Sequence, residues 1–284
     1  MSERLAVLSQ YMLPKQGLTL LAGRLAAWPG GRWTTAAIRR FVARYGVHMD
    51  EAAQPDIASY RSFNEFFTRP LKSGARPVAD AAFTSPVDGA ISQCGPIEGD
   101  DIFQAKGHRY TTQALVGGDA ALAAQFAGGT FATLYLSPRD YHRIHMPCDG
   151  RLQRMVHVPG ALVSVYPFTG RCGCGVCARI ERVVCLFEGA HGPFVMVLVG
   201  ATIVGSMATV WHGVVNPPRP GRLREWRYER ETVTLSQGQE MGRFLLGSTV
   251  VLLFPEGMVR LQNDWTPGRP IRMGEAMGAL EPGR

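Results

Sequence analysis

The 284-residue sequence has no apolar run approaching the roughly 18 residues that a membrane-spanning helix needs. Its best candidate, Phe194 to Val204, is short and carries Gly200 and Thr202, so it reads as a buried strand. A secretory signal is missing too. Arg4 and Lys15 flank a segment broken by Pro14, with no small-residue cleavage pattern, so the chain is expected to stay in the cytoplasm. There the six cysteines, Cys94, Cys148, Cys172, Cys174, Cys177 and Cys185, are expected to be mostly reduced. Charge is sparse, 19% of residues, against about 25% in typical soluble domains. There is no internal repeat, heptad array or low-complexity tract. Nor is there an aromatic-interleaved basic stripe or a nucleic-acid motif, which weakens a nucleic-acid role. What is present, 46% hydrophobic residues over this length, suffices for a full core and excludes a disordered chain or a disulfide miniprotein.

The 33 Gly and 19 Pro imply many turns and short elements. Between Leu5 and Trp28, Leu and Ala dominate, and two short amphipathic helices separated at Pro14 suit either a membrane interface or the core. Thr34 to Val47 places Ile38, Phe41, Val42 and Tyr45 at helical spacing with Gly46 as the stop. Ser62-Phe63-Asn64-Glu65 has capping-box spacing and opens a short helix that ends before Pro70. From about residue 76 the texture becomes β-branched and aromatic runs: Thr130–Leu136, Leu152–Val158, Arg182–Phe187, Phe194–Val204, Ala208–Val215 and Ser248–Phe254. The expected fold is therefore α+β, with an N-terminal helical region (1–75) that associates with membrane and a predominantly antiparallel β body (76–284). The net charge of +7 favours an anionic partner. Much of the local positive charge, Arg219, Arg222, Arg224, Arg227 and Arg230, reads as a solvated hairpin loop.

Three polar clusters interrupt apolar surroundings. They are Ser85-Pro86-Val87-Asp88-Gly89, the run from Leu136 to Pro147 with His142 and His145, and Phe244 to Val250 with its Gly247-Ser248 step. Asp, His and Ser can supply an orienting carboxylate, a base and a nucleophile in any chain order. His142-x-x-His145-x-x-Cys148 equally reads as three metal ligands with Asp88 as a fourth, the basis of a zinc-dependent hydrolase. On residue types alone, triad, metal site and structural residues stay level, and a non-catalytic lipid-binding module is a further alternative.

The wording of the motifs separates them. SPVDGAIS, LSPRDYHRIHMPCDG, LVGATIVGS and GQEMGRFLLGSTV closely resemble the defining segments of bacterial phosphatidylserine decarboxylases. YMLPK, SYRSFNEFFTRPL and QAKGHRYT support the match, which runs in order from about residue 8 to about 275. The resemblance implies a proenzyme that cuts itself between Gly247 and Ser248. Asp88, His145 and Ser248 would form the triad: His145 takes the proton of Ser248 Oγ, Asp88 holds the imidazole, and the oxygen attacks the Gly247 carbonyl. An unhindered glycine suits that approach. Elimination and hydrolysis then release ammonia and leave a covalent pyruvoyl group derived from Ser248. The products are a β chain, 1–247, and an α chain, 248–284. The pyruvoyl group would form a Schiff base with phosphatidylserine and release CO2 to give phosphatidylethanolamine, with His142 as the candidate proton donor and His145 as its competitor. No metal is implied. The resemblance further implies a peripheral protein on the cytoplasmic face of the inner membrane. There the Leu5–Trp28 segment docks on an anionic bilayer and arginines meet lipid phosphates. It also implies a homodimer of the two-chain unit.

The match fails between Tyr166 and Ile180, where YPFTGRCGCGVCARIERV keeps only Ala178, Arg179, Glu181 and Arg182 of the family run. The spacing of Cys172, Cys174 and Cys177 is not that of a common zinc site, so this reads as a loop with incidental thiols. Residues 248–284 carry four Arg and four Asp+Glu, so the whole +7 surplus falls on the implied β chain.

Overall fold

A computed structural model describes residues 23–104, 108–160, 178, 180–200, 206–216, 221–228, 232–246 and 249–281. Most of the Leu5–Trp28 segment, Cys172, Cys174, Cys177, Gly247 and Ser248 lie outside the described residues.

The N-terminal layer is helical for the expected reasons. Helix α1 (Arg32–Tyr45) stops at Gly46, whose left-handed backbone (φ 67°) lets its N–H bond the Val42 carbonyl. Ile38, buried completely, packs with Phe41 and Val42 against Tyr60, Phe66 and Phe67. Helix α2 (Phe63–Phe67) opens on Ser62, whose hydroxyl accepts the Glu65 N–H at 3.1 Å. The Glu65 carboxylate reaches back one residue further than a standard capping box, to the Arg61 N–H at 2.7 Å. The opposite face of this layer leaves large apolar groups in solvent, with Trp28 53% and Trp33 65% exposed. Among the described residues no helix is long and apolar enough to cross a membrane.

Strands follow. The first four are β1 (Phe83–Thr84), β2 (Gly89–Pro96), β3 (Asp101–Gln104) and β4 (His108–Thr111), after which short helices α3 (Thr112–Leu115) and α4 (Ala120–Ala124) intervene. Then come β5 (Thr130–Tyr135), β6 (Arg143–His145), β7 (Gly150–Val158), β8 (Arg182–Gly189), β9 (Gly192–Val199), β10 (Ser206–Thr209) and β11 (Gly213–Val214). The chain closes with β12 (Arg224–Arg227), β13 (Thr234–Leu235), β14 (Glu240–Leu246), β15 (Thr249–Phe254), β16 (Val259–Leu261), β17 (Pro270–Ile271) and β18 (Ala276–Leu280).

Nine strands form the main sheet in the order β12-β7-β8-β9-β15-β5-β2-β17, with β13 also on β7. A second sheet runs β11-β10-β14-β6, and a third β1-β18-β16. Every ladder among the described residues is antiparallel. The main sheet is buried on both faces, which is why its strands read as continuous apolar runs. Along β15, Val250, Leu252 and Phe254 enter one core while Val251 and Leu253 enter the other. Strand β9 divides in the same way, Met196 and Leu198 against Val195, Val197 and Val199.

Two expectations shift in detail. Ala208–Val215 is not one strand but the hairpin β10–β11, because Gly213 takes a positive φ of 75° after the Val210-Trp211-His212 turn. The arginines expected in a loop partly belong to a strand. Arg224 and Arg227 sit on β12, at the edge of the main sheet, where charge opposes edge-to-edge association.

Candidate active site

Strands β14 and β15 are separated by two residues, yet they lie in different sheets. Between Leu246 and Thr249 the chain therefore passes from the small sheet to the centre of the large one. Thr249, almost wholly buried, opens β15 and faces Tyr135 on one side and Val199 on the other. On the other bank, β14 pairs with β6, and the Phe244 N–H donates to the His142 carbonyl at 3.0 Å. The segment from Leu136 to His142 thus leaves beside Thr249 and returns beside Phe244, flanking the same crossing. The Asp88 turn joins it at Gly89, where a Cβ would stand 2.2 Å from the Tyr135 carbonyl oxygen, so only glycine allows this contact.

Both histidines are buried, and their tautomers follow from their partners. A carbonyl only accepts, so His142 Nδ1–H donates to Asp140 O (2.8 Å) and His145 Nδ1–H donates to Gly238 O (2.7 Å). In its neutral form each ring then keeps its lone pair on Nε2. On His145 that lone pair accepts the Tyr141 hydroxyl at 3.0 Å. Burial pushes the His145 imidazole below its ordinary 6.5, against the opposing pull of the Gly238 carbonyl and of Glu240, so the ring is neutral near pH 7 and can accept a proton, though as a weaker base than free imidazole. Burial likewise pushes the Tyr141 phenol up to about 12. Phe67 of α2 lies 4.0 Å, centroid to centroid, from the His142 ring, so the helical layer forms one wall of the site. Beside it, Arg143 ties β6 in place through the Thr68 carbonyl (2.8 Å) and Glu240 (2.8 Å).

Asp88 is buried, but its carboxylate is engaged away from His145. Arg76 grips it from Nε (2.9 Å to Oδ1) and Nη2 (2.6 Å to Oδ2), and the Met273 N–H donates to Oδ1 at 2.8 Å. Arg76 Nη2 also reaches Glu51 at 2.6 Å. Burial acts to lower the Arg76 pKa, yet the hydrogen bonds to Asp88 and Glu51 outweigh it and hold the guanidinium above its usual value. Asp88 and His145 are not hydrogen-bonded to each other, and the tautomer of His145 is fixed by Gly238. The structure thus brings His142, His145 and Asp88 around the crossing, whereas Ser248 lies outside the described residues.

His145 has both nitrogens in protein hydrogen bonds, burial pushes the Cys148 thiol up to about 12, and among the described residues no group of three or more His, Cys, Asp or Glu could hold a metal ion. Residue types alone did not single out Tyr141, Arg76 or Gly238. Tyr141 stands inside the LSPRDYHRIHMPCDG segment, one residue before His142. Arg76 and Gly238 carried no local signal, because their roles depend on partners 12 and 93 residues away.

A family model described as phosphatidylserine decarboxylase matches residues 63–279, and a second, described as PSD, matches residues 5–46. The phosphatidylserine decarboxylase proenzyme of Dechloromonas aromatica is 68% identical over 279 residues, covering 98% of this chain and 99% of the relative. The proenzyme of the same name from Azoarcus sp. is 69% identical over 280 residues, covering 99% and 97%. The one from Acidovorax ebreus is 69% identical over 277 residues, covering 98% of each. With two matching models that together span most of its length and relatives this similar from end to end, the chain belongs to the phosphatidylserine decarboxylase family.

Proposed function

We propose that this protein is a phosphatidylserine decarboxylase that makes its own pyruvoyl group by cutting between Gly247 and Ser248. The observation that carries the reading is the two-residue crossing between β14 and β15, flanked on one bank by Tyr135 and on the other by the strand that bears His145. A short inter-sheet link beside an imidazole that is neutral near pH 7 suits an attack by a side chain on its own preceding carbonyl.

In this mechanism His145 Nε2 takes the Ser248 Oγ proton. Gly238 keeps the ring in the Nδ1–H form throughout, and the Tyr141 hydroxyl, which donates to Nε2 in the resting ring, turns aside to free the lone pair and can accept from Nε2–H once the ring is charged. Asp88 acts on His145 through its field, since its negative charge favours the imidazolium that forms. His142, with Nδ1–H held by the Asp140 carbonyl, would first take a proton on Nε2, which the substrate ammonium gives up as it becomes the attacking amine, and would return it after decarboxylation, with His145 as its competitor. When present, the pyruvoyl carbonyl supplies the electron sink for loss of CO2. The surroundings fit such a group. The strand that begins at Thr249 is held on both sides, and two buried imidazoles and a phenol stand on the neighbouring segment. The α chain would stay bound after the cut, because β15 is the middle of the main sheet and β17 and β18 pair with β2, β1 and β16.

We further propose peripheral binding to an anionic membrane at the cytoplasmic face of the inner membrane. The support is the absence of a spanning helix among the described residues, and the exposed Leu25, Trp28 and Trp33 beside Arg32, whose guanidinium sits 5.4 Å from the Trp33 ring.

Denaturing electrophoresis and intact-mass measurement test the reading. Wild type should give two chains, the smaller with a blocked N-terminus and a mass reflecting loss of ammonia, and Ser248→Ala should stay one chain of 31.0 kDa. A wild type that remains uncut after prolonged incubation refutes it.

A further inference from the structure

A cavity of about 310 Å³ opens between the helical layer and the turn that leads to His142, with Arg69, Arg76, Asp88, Arg139, Asp140 and Arg272 in its walls. Its size is at the small end of the range for ligand sites, roughly 300–1,000 Å³, and suits a headgroup rather than acyl chains. The acids around it are already engaged. Asp88 is held by Arg76 and the Met273 N–H, and Asp140 accepts the Ser137 N–H at 2.6 Å. Glu51 takes Arg76, and Glu275 takes Arg269 at 3.2 Å.

Arg69 differs from all of them. It is 3% exposed, and its guanidinium makes one hydrogen bond, from Nη2 to the Arg139 carbonyl at 3.3 Å. Its Nε is buried with no acceptor, and its cationic plane rests 5.2 Å from the Phe66 ring. Among the described residues no carboxylate lies within ion-pair distance of it; Asp88, Asp140 and Glu51 act on it only through space. A buried guanidinium without an acid partner is costly unless something else brings the negative charge. At the rim, Arg139 and Arg272 are mostly exposed, and their carboxylate contacts are loose, 3.8 Å to Asp140 and 3.5 Å to Glu51.

We infer that this cavity binds a phosphate oxyanion, with Arg69 as the buried donor and Arg139 and Arg272 closing over it. The guanidinium fork matches carboxylate and phosphate alike. A carboxylate that must depart as CO2 gains nothing from an arginine clamp, which would stabilise the ground state against the transition state. The anion that stays unchanged through the reaction, the phosphodiester, is the one such a clamp can hold without slowing the chemistry. As an account of substrate binding the inference rests on the decarboxylase reading. As an anion site it stands alone, and free phosphate shares the same chemistry.

The test is calorimetric titration of the purified full chain with inorganic phosphate, followed by phosphate inhibition of CO2 release from phosphatidylserine vesicles. Wild type should bind phosphate saturably, and Arg69→Gln should weaken binding by about tenfold or more, as expected for loss of a charge-assisted donor. Since Arg69→Gln risks misfolding, Arg139→Gln and Arg272→Gln, at exposed positions, serve beside it and should each weaken binding about threefold. Phosphate that raises KM for the lipid with kcat unchanged assigns the site to the headgroup. Phosphate that binds at Arg69 without raising KM assigns it to free phosphate. No saturable binding by wild type, or three variants that bind as wild type does, overturns the site. Failure of the decarboxylase reading shows separately, as no CO2 from wild type whatever the titrations give.

Discussion

Strands β14 and β15 adjoin in sequence, and their surroundings could hardly differ more. Strand β15 is apolar from Val250 to Phe254, buried on both faces and paired on both edges. Strand β14 sits in a four-stranded sheet and carries Glu240 and Arg243, with Glu240 ion-paired to Arg143 of β6. Strand β15 is held by burial on both faces, which is strong and without direction; β14 buries Met241 and Phe244 in the same core but adds ion pairs, which are weaker and fix geometry. The cut proposed between them would draw on both: burial would keep the C-terminal piece in place, and the polar network would keep the histidines in position.

That contrast can be broken at either bank. The largest effect is expected from Leu252→Ala, which empties a fully buried position on β15 and should cost about 2–5 kcal/mol. The denaturation midpoint of the Ser248→Ala chain, compared with and without the second change, measures it. Tyr141→Phe should cost little stability but slow self-cleavage about tenfold, near 1.4 kcal/mol in the barrier. It should also move the pH profile. Cleavage needs neutral His145, so the rate falls as pH drops through a pKa that burial holds below 6.5. The phenol donates to Nε2 and so favours the neutral ring; without it the inflection should move to higher pH. A tyrosine that served only to fill space would lower the rate and leave the inflection where it was. Smallest should be Ser62→Ala, which removes the cap at the end of α2 opposite Phe67, touches neither histidine, and should cost about 1 kcal/mol in thermal or chemical denaturation, with no change in the pH profile.

Much of this architecture was legible in the residues. Ile38, Phe41, Val42 and Gly46 fixed α1 because helical periodicity and a glycine stop are local signals. The runs at Thr130, Leu152, Arg182 and Ser248 fell on strands because double-sided burial demands unbroken apolar sequence. His142, His145 and Asp88 were legible as well, through the wording of the segments that carry them. The partners of those residues were not. Asp88 facing Arg76, His145 facing Gly238 and the crossing between sheets at 247–248 all depend on which distant segments meet, and no local pattern encodes that.

The sequence by itself determined the helical start, the antiparallel β body, the family and the chemistry-bearing side chains, since periodicity and motif wording are properties of short stretches. Only the tertiary structure decided that β14 and β15 part into different sheets, that a backbone carbonyl rather than a carboxylate sets the His145 tautomer, and that Arg69 is buried without an acid beside it. Each of these is a matter of long-range register and packing, which arise when the whole chain closes on its cores.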